Sequence, residues 1–163
     1  MKKSVGLVAI VAVLAGCSGG GSSPPAAPQT QPGPFALQAQ SAGGGDTRVT
    51  LHASSAAGTI ITLVGQLSYD TSRLNIKGCE IASAASTAGK SLHFAEPVPG
   101  IVRTVVEGGL QPLPEATDVL TCTFTQAPGA PAGQASVHAQ GNVSDMSFTD
   151  RPFAADGTVQ VGN

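Results

Sequence analysis

ITLVGQLSYDTSRL, Ile61 to Leu74, is the stretch that decides the fold class. Ile61, Leu63, Gly65, Leu67 and Tyr69 share one parity, while Thr62, Val64, Gln66, Ser68 and Asp70 share the other. A period of two is the signature of a strand with one buried row and one solvated row. Asp70-Thr71-Ser72 then ends the strand: a short acidic side chain can accept hydrogen bonds from backbone amides just ahead of it and fix a turn. Leu74 and Ile76 return the chain to the core side.

The same rhythm extends in both directions. Upstream, Phe35, Leu37 and Ala39, then Val49, Leu51 and Ala53, alternate with polar residues. Downstream come Leu92 and Phe94, Val102 to Val106, then Leu120, Cys122 and Phe124 set against Thr121, Thr123 and Thr125. Val137 and finally Val159 and Val161 complete the series. Turn formers separate the runs, among them Gly43-Gly44-Gly45-Asp46, Ala57-Gly58, Pro97-Val98-Pro99-Gly100, Pro128-Gly129 and Asp156-Gly157. Many short strands at close spacing predict an all-β fold, an antiparallel β-sandwich or jelly roll of about nine strands. Two segments have helical potential: Ile81 to Ala88 for a turn or two, and Pro114 to Leu120 for a short connection.

The chain has 163 residues, of which 11% are charged and 4% aromatic, with no Trp. Its formal charge of -2 and eight scattered basic residues leave no cluster to neutralise phosphates, which excludes a basic nucleic-acid binder. A polytopic membrane protein is excluded too, because the one apolar run is N-terminal and short. That run, Val5 to Leu14 behind Lys2 and Lys3, reads as an export signal. It ends in Leu14-Ala15-Gly16-Cys17, which is similar to the lipobox of bacterial lipoproteins. The resemblance implies cleavage before Cys17 and lipidation of its thiol, with membrane attachment through the acyl chains. The alternative is an ordinary signal peptide in which Cys17 is incidental. Ser18 is not the Asp that commonly retains lipoproteins at the inner membrane, so the expected address is the cell envelope, at the outer membrane.

Ser18 to Pro34 (SGGGSSPPAAPQTQPGP) offers almost nothing to a core and reads as a spacer. The expected organisation is therefore a lipoprotein signal peptide at 1–16, a lipidated Cys17 with a Gly/Ser/Pro-rich tether at 17–34, and a β-sandwich domain at 35–163. Residues 17–163 carry six basic and ten acidic side chains, a net charge of -4. With Cys17 lipidated, Cys79 and Cys122 remain. In an oxidising envelope two thiols in one small β-domain are expected to pair, the alternative being two separate buried thiols. Closing that loop restricts the unfolded chain by about 4 kcal/mol in the entropy model.

The phrase Gly65-Gln66-Leu67-Ser68-Tyr69-Asp70-Thr71-Ser72-Arg73-Leu74 resembles the third strand and turn of cohesin domains, where L-x-Y-D-x-x-x-L recurs. Gly100-Ile101-Val102-Arg103, Val119-Leu120-Thr121-Cys122-Thr123-Phe124 and Asp156-Gly157-Thr158-Val159-Gln160-Val161 extend the resemblance over about Asp46 to Gly162. It implies a nine-stranded jelly roll that binds a protein partner, a dockerin in the family's own case, through one sheet face. The corresponding face here is Thr62, Val64, Gln66 and Ser68. Thr62 and Val64 stand where cellulosomal cohesins often place Asn and Asp, a departure that argues against recognition of a standard dockerin. A plain solvated sheet face is the competing reading.

Convergent chemistry is not visible. His52, His93 and His138 fall in different strands, no G-x-S-x-G elbow occurs, and no C-x-x-C or H-x-x-x-H spacing suggests zinc. Glu96 and Glu107, or Asp145 and Asp150, could in principle pair for glycoside cleavage, but they read better as solvated charges. Asp145, Asp150 and Asp156 do not follow an EF-hand spacing. No catalytic residue, metal site or cofactor is expected. Two rivals to a protein-docking module remain. One is a structural accessory of an envelope secretion or pilus assembly. The other is a carbohydrate-binding module, which would have to stack polysaccharide on Phe148 and Phe153, the two rings expected outside the core.

Overall fold

A computed structural model of the chain describes residues 33–54 and 59–162. The signal peptide, Cys17 and all of the tether but Gly33 and Pro34 lie outside the described residues, as does the Ala57-Gly58 turn.

Among the described residues the chain forms nine strands and one short helix: β1 (Phe35–Gly43), β2 (Asp46–Ala53), β3 (Ile60–Tyr69), β4 (Leu74–Ile81), α1 (Ser83–Thr87), β5 (Ser91–Val98), β6 (Ile101–Glu107), β7 (Asp118–Gln126), β8 (Gly133–Asp145) and β9 (Asp150–Val161). They build a four-stranded sheet in the order β1-β2-β7-β4 and a five-stranded sheet in the order β5-β6-β3-β8-β9, with every pairing antiparallel. The expected antiparallel β-sandwich is the observed architecture. Alternation places Val49, Leu51, Leu120 and Phe124 of one sheet and Leu63, Leu67, Val102 and Val106 of the other in a shared core, all buried.

The motif at the centre of the sequence behaves as its chemistry requires. Leu67 and Leu74 are buried, and Tyr69 turns its ring edge to Phe124 at a centroid distance of 5.1 Å. Asp70 Oδ1 accepts hydrogen bonds from the Ser72 amide at 2.9 Å and the Ser72 hydroxyl at 2.6 Å, and the Leu74 amide donates to the Asp70 carbonyl. These two donors from Ser72 hold the Asp70 carboxyl below its ordinary value, with a smaller contribution from Arg73. Cys79 and Cys122 face each other across β4 and β7 and are joined by a disulfide, with a Cα–Cα distance of 4.0 Å.

Three sequence expectations need correction. Pro114 to Leu120 is not helical: the Ala53 amide bonds the Thr117 carbonyl at 2.8 Å, which draws the segment into the β2–β7 ladder, and β7 begins at Asp118. Phe153 is buried, because Gly141 opposite it and Gly65 beyond leave a hollow that its ring fills; it also meets Phe35 at 4.9 Å. Phe94 has core parity, pairing with buried Thr104, yet is 47% exposed. It sits on edge strand β5, and Gly78 of β4, which has no side chain to cover the ring, lies against it.

One buried cation holds the edge of the sandwich together. Pairing of β3 with β8 slips between Ile60 and Thr62, and Ile60 and Ile61 are both buried. The Lys90 ammonium donates to the Ile61 carbonyl at 2.8 Å and to the carbonyls of Gly108 and Gly109 at 2.9 and 2.7 Å. Lys90 is 4% exposed, and burial pushes its ammonium below the ordinary value.

A candidate docking face

Thr62, Val64, Gln66 and Ser68 come together in one row on the outer surface of β3, the central strand of the five-stranded sheet. Leu63 and Leu67 are buried on the other side, so strand alternation forces this row outward. Val64 is 52% exposed. Ser68 donates to the His138 carbonyl at 3.4 Å.

Register extends the row sideways. Val64 lies between Val105 of β6 and Asn142 of β8; Gln66 lies between Arg103 and Gln140. One row further out, Val105 meets His93 and Asn142 meets Pro152. The result is a broad, flat surface of small, amide and apolar side chains, with Arg103 and His93 among them. It dips at its centre into a shallow depression of about 410 Å³, lined by Val64, Gly65, Gln66, Arg103, Gln140 and Gly141. The sequence marked the β3 residues only. Arg103, Gln140 and Asn142 were missed because their membership depends on β6 and β8 flanking β3, a long-range pairing that alternation within one strand does not encode.

The charged groups weighed as catalytic pairs are each engaged locally. Glu96 accepts hydrogen bonds from the Tyr69 hydroxyl and, at 3.0 Å, from the Gly100 amide. Burial, and then the bond to Glu96, raise the Tyr69 hydroxyl above its ordinary value. Glu107 faces His93 at 3.5 Å, Asp145 accepts from the amides of Ser147 and Thr149, and Asp150 accepts from the Ser144 hydroxyl. His52 pairs with Asp118 at 2.9 Å and His138 with Asp156 at 2.6 Å. Among the described residues no three His, Cys, Asp or Glu side chains gather as a metal site. A groove of about 380 Å³ beside the β1–β2 hairpin has Asp46 as its one titratable lining residue. Phe148 is 77% exposed, but with Phe153 in the core the expected two-ring platform for polysaccharide is not formed.

Comparison with solved structures places this architecture. The cohesin of a type I cohesin–dockerin complex from Clostridium thermocellum superimposes with a TM-score of 0.63 at 12% identity, covering 81% of this chain and 100% of that one. The chain has the cohesin fold. A non-cellulosomal cohesin from the hyperthermophilic archaeon Archaeoglobus fulgidus matches with a TM-score of 0.62 at 13% identity, over 79% of this chain and 91% of that one. The seventh ScaB type I cohesin from Pseudobacteroides cellulosolvens matches at 0.61 and 15% identity, over 78% and 92%. No family model and no curated protein matches the sequence. At such identities the likeness to cohesins is one of fold, and the residues on the candidate face are this chain's own.

Proposed function

We propose that this protein is a non-catalytic binding or scaffolding module of the cell envelope, held there by a lipidated Cys17, and that it engages a protein partner through the outer face of β6, β3 and β8. One observation carries the reading: the cohesin fold here presents a flat sheet face with a half-exposed valine, Val64, between Val105 and Asn142, and Gln66 next along its strand between Arg103 and Gln140. Val64 and its cross-strand neighbour Val105 give the face an apolar contact of the kind found at the core of protein interfaces. The existence of cohesins solved in complex with dockerins supports the class of partner, and the Thr62 and Val64 departures support one other than a standard dockerin.

The test is capture from an envelope extract by the intact protein, compared with a Val64→Arg/Gln66→Arg variant. Both positions are on the outer surface, so the variant is expected to fold as the wild type does and to lose the captured protein. Capture by the variant at wild-type levels refutes the face. A dockerin-bearing partner places the protein with cohesins in function, and secretion or pilus subunits make it an accessory of such an assembly. Retention on polysaccharide gels would favour direct sugar binding. Release of a Cys17→Ser variant from washed membranes tests the anchor, and an unchanged membrane fraction overturns it.

A further inference from the structure

Arg103, exposed on β6, is the cation that lines the depression of the docking face. It projects from β6 with Gln66 as its cross-strand neighbour on one side and Ala95 on the other, and Gln140 lies beyond Gln66. The other charged groups on this face are engaged in pairs: His93 with Glu107, His138 with Asp156, and Asp150 with the Ser144 hydroxyl. Among the described residues no ion pair or side-chain hydrogen bond engages Arg103. Residues 17–163 carry a net charge of -4, so an uncompensated guanidinium in this depression is a local reversal of the chain's overall sign.

We infer that the partner seats an acidic side chain, Asp or Glu, on Arg103. The inference rests on the docking-face reading above. A guanidinium presents parallel donors that match the two oxygens of a carboxylate, and the amides of Gln66 and Gln140 line the same depression, where they can donate to remaining lone pairs. Val64 and Val105 border it and give the partner an apolar contact next to the acid. A phosphate fits less well. A dianion calls for a second cation, and the two histidines of this face are each paired to a carboxylate.

The experiment pans a displayed library of random 12-residue peptides on the immobilised full chain. Selected peptides are then titrated into the ¹⁵N-labelled protein and into its Arg103→Gln variant. Enriched peptides are expected to share an Asp or Glu next to apolar residues and to shift the amides of Gln66, Arg103 and Gln140. They are expected to bind Arg103→Gln roughly tenfold more weakly, with an Arg103→Glu variant preferring peptides that carry Lys in place of the acid. Peptides that map to this face but bind Arg103→Gln as tightly as the wild type overturn the acidic preference and leave the face standing. Peptides that map elsewhere, or a library that yields no Arg103-dependent binder, overturn the inference, and in the first case the face as well.

Discussion

Replacing Lys90 by Met tests whether a buried ammonium, with no carboxylate partner among the described residues, holds the β3 end of the sandwich. Met matches the length of the stem and keeps its apolar packing, so the change removes the charge and its three hydrogen bonds to the carbonyls of Ile61, Gly108 and Gly109. Hydrogen bonds from charged donors contribute about 1.5–3 kcal/mol each, but the ammonium also carries a desolvation cost of several kcal/mol that Met does not. What remains is chiefly the penalty of stranding acceptors. The Ile61 carbonyl lies in the most buried of the three bonds and costs about 1–3 kcal/mol when unmade, while the two glycine carbonyls are closer to water and cost less. A net loss of about 3 kcal/mol is expected. In urea titration of the disulfide-intact protein, with a slope of about 2 kcal/mol per molar, the midpoint falls by about 1.5 M. A Lys90→Met protein that unfolds at the wild-type midpoint, or above it, would show that the buried charge costs as much as its bonds return, and the reasoning would fail.

Two further outcomes follow from the same geometry. A Cβ at Gly141 meets the Val64 carbonyl oxygen at 2.2 Å and the Gly65 Cα at 2.6 Å, whereas one at Gly65 meets only side chains, at 3.3 Å. Gly141→Ala is therefore expected to cost about 3 kcal/mol and Gly65→Ala about 1 kcal/mol or less, read by thermal unfolding; equal losses would contradict the close approach of these strands. The Asp70 carboxyl is held below its ordinary value of 3.8, so the stability it contributes is present above that pH and is lost as pH falls through the folded value. Asp70→Asn keeps a side-chain acceptor for the turn but cannot titrate. The gap in stability between wild type and this variant is expected to be constant at neutral pH and to close in acid, and a gap independent of pH would rule out the Ser72 hydrogen bonds as its source.

Alternation along single strands made the fold legible, because Leu63, Leu67, Val102 and Phe124 each occur at the parity their burial requires. The same alternation found the outward row of β3. It could not tell that Phe94 lies at an edge where the opposite sheet ends, nor that Phe153 rests on two glycines from other strands, since parity assigns a side but not a cover. Lys90 was invisible for a related reason. Its partners are backbone carbonyls at a bulge and a loop, and a carbonyl leaves no mark in the residue alphabet. Arg103 stood in the quoted phrase Gly100 to Arg103, but its isolation from any counter-charge became apparent only when β6 was seated between β5 and β3.

The cystine also bears on how the molecule would respond to mechanical load. It closes a covalent ring with a sequence separation of 43 that holds α1, β5 and β6, and therefore Arg103 and Val105, while Val64 and Gln66 lie outside it. A pull on the chain ends can unravel β1 to β3 but cannot draw out the enclosed segment, which withholds roughly 150 Å of extended length at about 3.5 Å per residue. The β6 strand of the candidate face, one of its three, is thereby shielded from tension. Under strain the face would part along the seam between β3 and β6, with the arginine side kept from full extension by its ring.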